Sequence, residues 1–538
     1  MLRSSNAVFW LKGVLLFPLL SGLLLLLGWP PIGIFPFLFV GLVPLFLAFD
    51  AIEKIRRGKY LAVFLANFIG HFLWVGYSLK WLQVTSPQSY LTAITLVSVT
   101  LSLAMIPLVW ISSKYGRNMR FVFFAAAWLS IEFLNQNWLL GAPYFTLGNG
   151  FGMYPRLIQH YELIGIEGGT VWLLASNFFF YRAIVNYKQQ KQMVKNILLF
   201  AGVTIVPILF SLLLYSDGSG DENKKQVSVL HTFMDPGKPA FTQAPELMTD
   251  SLFNMSLPAF EKKTNLMVWP EVVINNLGWL MDISQERAFS AIYKRLAEYP
   301  GTTICTGGYG FSLDRAGKEN PYASYDTVNK YYYVTHNIAL SVTYGERSPI
   351  RSKENFVPFQ ERIPMLEEFP FMANFADIVG SNAKVTYFPK GVEVHQTKTG
   401  ITYTPVLCYE SVFPLNMAAK AREVDLITIS ANENWNKDLS GSEQYLYNNV
   451  AMAIQSRIPL VKSSNSGISC IIDKYGNVLE QRKGRNTGLI TKEIALGNGP
   501  TVYSMVASLF YWSGVLIFIP LWLLFVFSGM VSGFRKIR

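Results

Sequence analysis

Eight long apolar runs surround one long hydrophilic block in this 538-residue chain, and that arrangement limits the folds open to it. A helix needs about 20 mostly apolar residues to cross a hydrocarbon core of ~30 Å. Runs of that kind lie near residues 9–29, 33–52, 60–82, 90–111, 121–140, 161–185, 197–215 and 502–531. The pattern predicts a membrane α-helical bundle of eight spans joined to one α/β domain. The expected divisions are a seven-helix bundle over 1–216, a hydrophilic domain over 217–500, and a last helix with a short basic tail over 501–538. A hydrophobic content of 51% is high for a soluble enzyme and agrees with that division. The first run is too long for a signal-peptide core and lacks a small-residue cleavage site, so it is expected to stay as an anchor.

Basic residues give the expected orientation. Lys54, Arg56, Arg57 and Lys59 follow the second run, Lys114, Arg117 and Arg120 the fourth, and Lys188, Lys191 and Lys195 the sixth. Arg535, Lys536 and Arg538 close the chain, while the intervening loops are nearly free of basic residues apart from Arg156. Every second loop being basic puts both termini in the cytoplasm and the hydrophilic block on the outer face. Many of the charges behind the formal +11 are therefore topological anchors. No basic block interleaved with aromatics stands on an exposed module, so no nucleic-acid partner is expected.

After a polar linker at 216–225, the hydrophilic block alternates short apolar runs with helical stretches. The runs fall at 227–230, 266–269, 302–306, 337–342, 404–407, 426–430, 460–462 and 468–472, with helical patterns at 286–299 and 444–457. Strands interleaved with helices predict an α/β sandwich. Residues 471–479 read as a hairpin turning at 474–477. Three cysteines make no disulfide framework, and Cys305 and Cys470 sit in apolar strand-like stretches as core residues. His71, His160, His231, His336 and His395 show no spacing that suggests a metal.

The candidate chemistry lies where strands end. Cys408 closes the run 404–407, Glu271 follows 266–269, and Lys353 precedes Phe356-Val357-Pro358-Phe359. A free thiol titrates near ~8.5 and needs help to react at neutral pH. A carboxylate such as Glu271 can supply that help by taking the thiol proton, and it can later deprotonate an attacking amine. Lys353 offers fixed positive charge to a tetrahedral oxyanion, beside the backbone N–H of Tyr409. Losing one such donor costs about 3–4 kcal/mol of transition-state stabilisation. A helix starting soon after Cys408 would add a dipole favouring thiolate. Glu361 and Glu410 read as carboxylates that orient Lys353 or the base, and Tyr409 as wall. Plainer readings stand beside these: a packed strand-end cysteine, a solvated Pro-Glu, and surface charges at Lys353, Glu361 and Glu410. Between Lys353 and Cys408 the chain is aromatic, with Phe356, Phe359, Phe369, Phe371 and Phe375, a composition that marks membrane or ligand contact or else core.

Several motifs occur together in order. They are Trp269-Pro270-Glu271, Lys353 with Phe356-Val357-Pro358-Phe359-Gln360-Glu361, Cys408-Tyr409-Glu410, Ile427-Thr428-Ile429-Ser430 with Asn432 and Trp435, and Asn465-Ser466-Gly467-Ile468. Trp128, Glu132, Gly141-Ala142-Pro143 and Leu147-Gly148 join them in the N-terminal part. Taken together, the chain resembles the bacterial apolipoprotein N-acyltransferases, membrane-integrated members of the nitrilase superfamily, over essentially its full length. The resemblance implies an αββα nitrilase-like sandwich, a Glu271–Lys353–Cys408 triad, and no cofactor or metal. It further implies a ping-pong reaction at the periplasmic face of the inner membrane. Cys408 would take an acyl chain from a phospholipid, typically phosphatidylethanolamine, and pass it to the α-amine of a lipoprotein's N-terminal diacylglyceryl-cysteine. The chain departs from the family pattern at Asn432-Glu433-Asn434-Trp435-Asn436-Lys437, where Asn-Asp-x-Trp-Phe-Gly is usual. It also departs at Met452 and Gln455, usually Arg and Glu, and at His231-Thr232-Phe233-Met234-Asp235-Pro236 after the first strand. A membrane-tethered amidase acting on a small amide or nitrile, and a non-catalytic scaffold, are the competing readings.

Overall fold

The computed structural model describes residues 2–234, 244–378, 383–435 and 438–537. Of the positions singled out above, Asp235, Pro236, Asn436, Lys437 and Arg538 lie outside the described residues. The chain divides into one unit of Met1–Tyr215 with Val506–Arg538 and a second of Ser216–Met505.

The first unit is helical. Among its described residues seven helices are long and apolar enough to cross a membrane: Asn6–Gly28, Phe35–Ile52, Lys59–Ser78, Pro87–Tyr115, Tyr161–Val185, Gln190–Leu214 and Leu509–Met530. The run expected as the fifth span forms a 21-residue helix, Arg117–Asn137, that is not among them. Arg117 and Arg120 at one end, with Glu132 and Asn135 to Asn137 at the other, shorten its apolar stretch. Arg120, counted above with a basic loop, is instead a buried member of this helix. It donates to Asp50 at 2.8 Å and to Glu53 at 2.6 Å. Glu132 is also buried and accepts from the Trp128 indole at 2.9 Å, the Leu147 N–H at 2.8 Å and the Thr170 hydroxyl. A polar group in an apolar bundle is tolerated only with such partners.

The second unit holds fourteen strands among its described residues. In chain order they are β1 Lys224–His231, β2 Leu266–Trp279, β3 Thr303–Leu313, β4 Ser324–Asp326, β5 Tyr331–Thr343, β6 Ile350–Ser352, β7 Val385–Thr386, β8 His395–Gln396, β9 Thr402–Leu407, β10 Leu426–Asn432, β11 Leu460–Asn465, β12 Ile468–Ile472, β13 Val478–Lys483 and β14 Gly488–Ala495. One sheet runs β14-β1-β2-β3-β5-β4, with β6 and β7 added on β5, and the other runs β13-β12-β11-β10-β9-β8. Lys224 and Lys225, read above as linker, belong to β1.

Alternation explains the layers, because successive strand residues face opposite sides. Val227 and Val229 of β1, Leu266 and Val268 of β2, and Cys305 of β3 share a core with Tyr403, Leu426, Val461 and Ile471 of the other sheet. Their neighbours Met267, Trp269 and Ile304 face the opposite way, onto helices Pro245–Glu261 and Arg287–Leu296. Helices Pro414–Lys420 and Ser440–Ser456 accompany the second sheet, giving the α/β/β/α order of a nitrilase-like sandwich. The eight expected strand runs and both helical stretches are present. The hairpin at 471–479 joins β12 to β13 in antiparallel register.

Candidate active site

The peptide around Glu271 is irregular for a local reason. Pro270 has no N–H to give a ladder, and β2 loses regular register with β3 between Val268 and Glu271. The freed carbonyls find side chains: Ser430 donates to the Trp269 oxygen at 2.8 Å and Thr306 to the Pro270 oxygen at 3.2 Å. Val272 then takes φ +58°, a costly choice for a β-branched residue. The detour leaves the Glu271 carboxylate buried within the unit.

Lys353 follows β6 and is held by its own N–H, which donates to the Asn337 carbonyl of β5 at 2.9 Å. Its ammonium is 1% exposed and donates to Glu361 at 2.6 Å and to Glu271 at 3.2 Å. Asn337 braces the same pair, its amide donating at 2.8 Å to each carboxylate. The second oxygen of Glu361 accepts the Val357 N–H at 2.8 Å, which fixes the loop after Lys353. One ammonium thus serves two carboxylates, the buried Glu271 and the partly buried Glu361.

Charge balance follows from that count. Burial works against the Lys353 charge, but Glu271 and Glu361 outweigh it and hold the group well above the ordinary lysine range. Burial raises the Glu271 carboxyl above the usual range, with Glu361 adding to the rise and Lys353 and Asn337 opposing it. Two carboxylates share one ammonium, an arrangement that leaves a place for one proton.

Cys408 leaves β9 at φ +43°, a strained left-handed turn into a five-residue 3₁₀ helix, Cys408–Val412. Its thiol is buried and lies in the electrostatic reach of Glu271, Lys353, Glu433 and Glu361. The expected thiolate-favouring helix dipole does not prevail. Only a short 3₁₀ turn follows, and burial together with the Glu271 charge pushes the thiol up, with Lys353 acting against them. The resting sulfur is therefore a thiol in the electrostatic reach of a carboxylate.

Glu410 does not touch Lys353, contrary to one expected role. It forms a two-point pair with the buried Arg351, at 2.7 and 3.0 Å, and accepts the N–H groups of Glu354 at 2.8 Å and Leu407 at 2.9 Å. Burial opposes its ionised form, but Arg351 prevails and holds the carboxyl below its ordinary range. Glu410 thereby ties the residue after Lys353 to the residue before Cys408. The buried Tyr409 ring packs edge-on against Phe413 at 5.2 Å. In the aromatic insert Phe359 and Met372 are buried while Phe369, Phe371 and Phe375 are exposed, so core packing accounts for only part of the segment.

Comparison with known proteins agrees with this fold. The carbon-nitrogen hydrolase family matches residues 228–499, half of the chain, and the apolipoprotein N-acyltransferase N-terminal domain matches residues 21–179. The chain belongs to the apolipoprotein N-acyltransferase family of the nitrilase superfamily. An apolipoprotein N-acyltransferase of Geobacter metallireducens is 24% identical over 519 residues, 93% of each chain. One from Chlorobaculum tepidum is 21% identical over 90% of this chain and 92% of its own. Apolipoprotein N-acyltransferase 2 of Treponema denticola is 25% identical over 82% and 83%.

Within this family member, three site contributors escaped the sequence reading. Asn337 and Arg351 carried no motif signal, since only strand register brings them beside Glu271 and Glu410. The third, Glu433, falls in the departed stretch after β10. It forms a buried pair with Lys462 at 2.5 Å, and Cys408 feels its charge. Of the other departures, Met452 is core and Gln455 donates to the Pro414 carbonyl at 3.0 Å. Cys305 and Cys470 are buried. His231, His336 and His395 hydrogen-bond to Ser469, Ser312 and Ser341 respectively. No group of three or more metal-ligating side chains occurs among the described residues.

Proposed function

We propose that the chain transfers a fatty acyl group from a phospholipid to the α-amine of the N-terminal diacylglyceryl-cysteine of lipoproteins, through a thioester on Cys408. Glu271 is the general base, Lys353 the oxyanion's cation, and Glu361, Tyr409 and Glu410 support them. The donor is a phospholipid of the phosphatidylethanolamine type. The observation that carries the reading is the Lys353 ammonium held between Glu271 and Glu361 within electrostatic reach of the Cys408 thiol. A relative named apolipoprotein N-acyltransferase and aligned over 93% of the chain supports it.

The steps balance with these groups alone. The Cys408 proton passes to Glu271 as sulfur attacks the ester carbonyl. The carbon–oxygen bond then breaks, and Glu271 returns the proton to the leaving oxygen, releasing a lysophospholipid. In the second half the amine attacks the thioester, its proton moves to Glu271, and the sulfur leaves as a thiol. A buried cation aimed at the oxyanion acts in low dielectric, where it counts most.

In this reading residues 1–216 supply seven spans and 501–538 the eighth. Residues 217–500 stand on the periplasmic side of the bacterial inner membrane, with both termini cytoplasmic. The helix Arg117–Asn137 serves as the fifth span, its Arg120 paired with Asp50 and Glu53 and its Glu132 hydrogen-bonded by the donors described above. The alternating basic loops support this orientation. The test is depletion in the source organism followed by mass spectrometry of its lipoproteins. Diacylated forms should accumulate, and Cys408→Ala should fail to restore the triacyl form. Restoration by Cys408→Ala would overturn the reading.

A further inference from the structure

One side chain on the site face has no part in the mechanism above. Tyr309 of β3 stands directly opposite Asn337 of β5, and opposed residues of an antiparallel pair project to the same face with Cβ atoms about 4.5–5.5 Å apart. Asn337 is the residue whose amide reaches both Glu271 and Glu361. Two positions earlier on that face, Gly307 pairs with Glu271, and a Cβ there would stand 2.6 Å from Leu407 and 3.3 Å from the Glu271 side chain. The face of β3 toward the site is thus bare at Gly307 and carries a phenol at Tyr309. That ring stays partly exposed while Glu271, Lys353 and Cys408 are buried, so it marks the mouth of the site. Its hydroxyl lies in the electrostatic reach of Glu361, Glu271, Lys353 and Cys408. Burial, then the two carboxylates, pushes the phenol up, and it remains an O–H donor throughout the neutral range.

Resting on the acyl-transfer reading, we propose that Tyr309 is a further substrate-contacting residue, whose hydroxyl hydrogen-bonds the substrate atom that exchanges a proton with Glu271. In the first half-reaction that atom is the leaving ester oxygen, to which the phenol donates. In the second it is the attacking amine nitrogen, whose N–H the phenol oxygen accepts. Tyr309 itself neither gains nor loses a proton overall. A donor beside the base suits an oxygen leaving group, which develops negative charge as the carbon–oxygen bond opens.

The test uses the full-length chain in detergent, a phosphatidylethanolamine donor and a synthetic diacylated lipopeptide acceptor. Tyr309→Phe removes only the hydroxyl. Acylation of Cys408 and its decay on adding lipopeptide should each slow about 10- to 100-fold, the range for a hydrogen bond to a developing charge. KM should change little, and iodoacetamide should alkylate Cys408 with an unchanged pH profile. Wild-type rates in Tyr309→Phe would overturn the proposal, as would an alkylation profile that shifts with the rates, which would mark a merely structural role. A wild-type chain that accepts no acyl group would sink the acyl-transfer reading, and the proposal with it. Normal acylation in both wild type and Tyr309→Phe would sink the proposal alone.

Discussion

Two buried lysines of the hydrophilic unit face opposite demands. Lys462 on β11 is 0% exposed and meets one carboxylate, Glu433, whose other oxygen accepts the Ile468 N–H at 3.0 Å. Lys353 after β6 is 1% exposed and meets two, Glu271 and Glu361. The Lys462 pair is neutral as a whole and pins the Ser466-Gly467 turn, where both residues have φ +62°. The Lys353 cluster sets two carboxylates against one ammonium. A neutral buried pair holds structure, while an unbalanced one holds a place for a proton. In the proposed reaction that place lets Glu271 act as the base, while burial together with the Glu271 charge keeps Cys408 a thiol.

Breaking the comparison at Lys353 should have the largest effect. Lys353→Met removes the cation proposed to face the oxyanion and should lower the acylation rate at least ~100-fold, read by rapid quench on folded protein. At Lys462 the loss should appear in stability instead. Lys462→Met leaves the Glu433 carboxylate uncompensated and should cost about 3–5 kcal/mol of unfolding free energy. A Lys462→Met/Glu433→Leu double variant should regain most of it, measured by urea unfolding of the detergent-solubilised chain. If Lys462→Met instead abolished acylation with stability intact, the division between the two lysines would fail.

Glu361→Gln sharpens the comparison, since it makes the Lys353 cluster one-to-one like the Lys462 pair. Glu361 helps raise the Glu271 carboxyl, so its neutralisation should lower it. In the proposed mechanism activity requires the Glu271 carboxylate and should decline as pH falls through that group's folded value. The acid limb of the pH–rate profile should therefore move to lower pH in Glu361→Gln. The rate on the plateau should fall about tenfold as the base weakens. A limb that stays in place would mean that Glu271 is not the titrating base.

The smallest expected effect concerns Glu410. Arg351 overcomes burial and depresses this carboxyl in the folded chain. Its contribution to stability is then complete above the unfolded carboxyl value of about 4.3 and is lost as pH falls through the lower folded value. Unfolding midpoints measured from pH 7 down to pH 3 should show a shallower acid decline in Glu410→Gln than in wild type.

Much of the sandwich was legible because alternation persists over several residues. Val227 and Val229, or Leu266 and Val268, announce a strand wherever they occur. The pieces β4, β6, β7 and β8, of two or three residues, are too short to display a period. Their strand character comes from pairing with β5 or β9, which no local pattern records. The same limit applies at the site. Glu271, Lys353, Glu361 and Cys408 were legible through ordered motifs and the eight-residue spacing from Lys353 to Glu361. Asn337, Arg351 and Tyr309 were not, because register across neighbouring strands, rather than spacing along one, carries them to the carboxylates. The fifth apolar run, which forms a helix as expected, shows a different limit. Its length was right, but Arg120 and Glu132 find partners inside the bundle, and composition alone does not foretell them.

The most direct measurement is intact-mass spectrometry of the chain incubated with phospholipid and no acceptor, followed by peptide mapping. The expected spectrum shows one fatty acyl group on Cys408, absent in Cys408→Ala and strongly diminished in Glu271→Gln. A chain that releases lysophospholipid without ever carrying that group, or carries it on another residue, would contradict the thiol-and-base site described here.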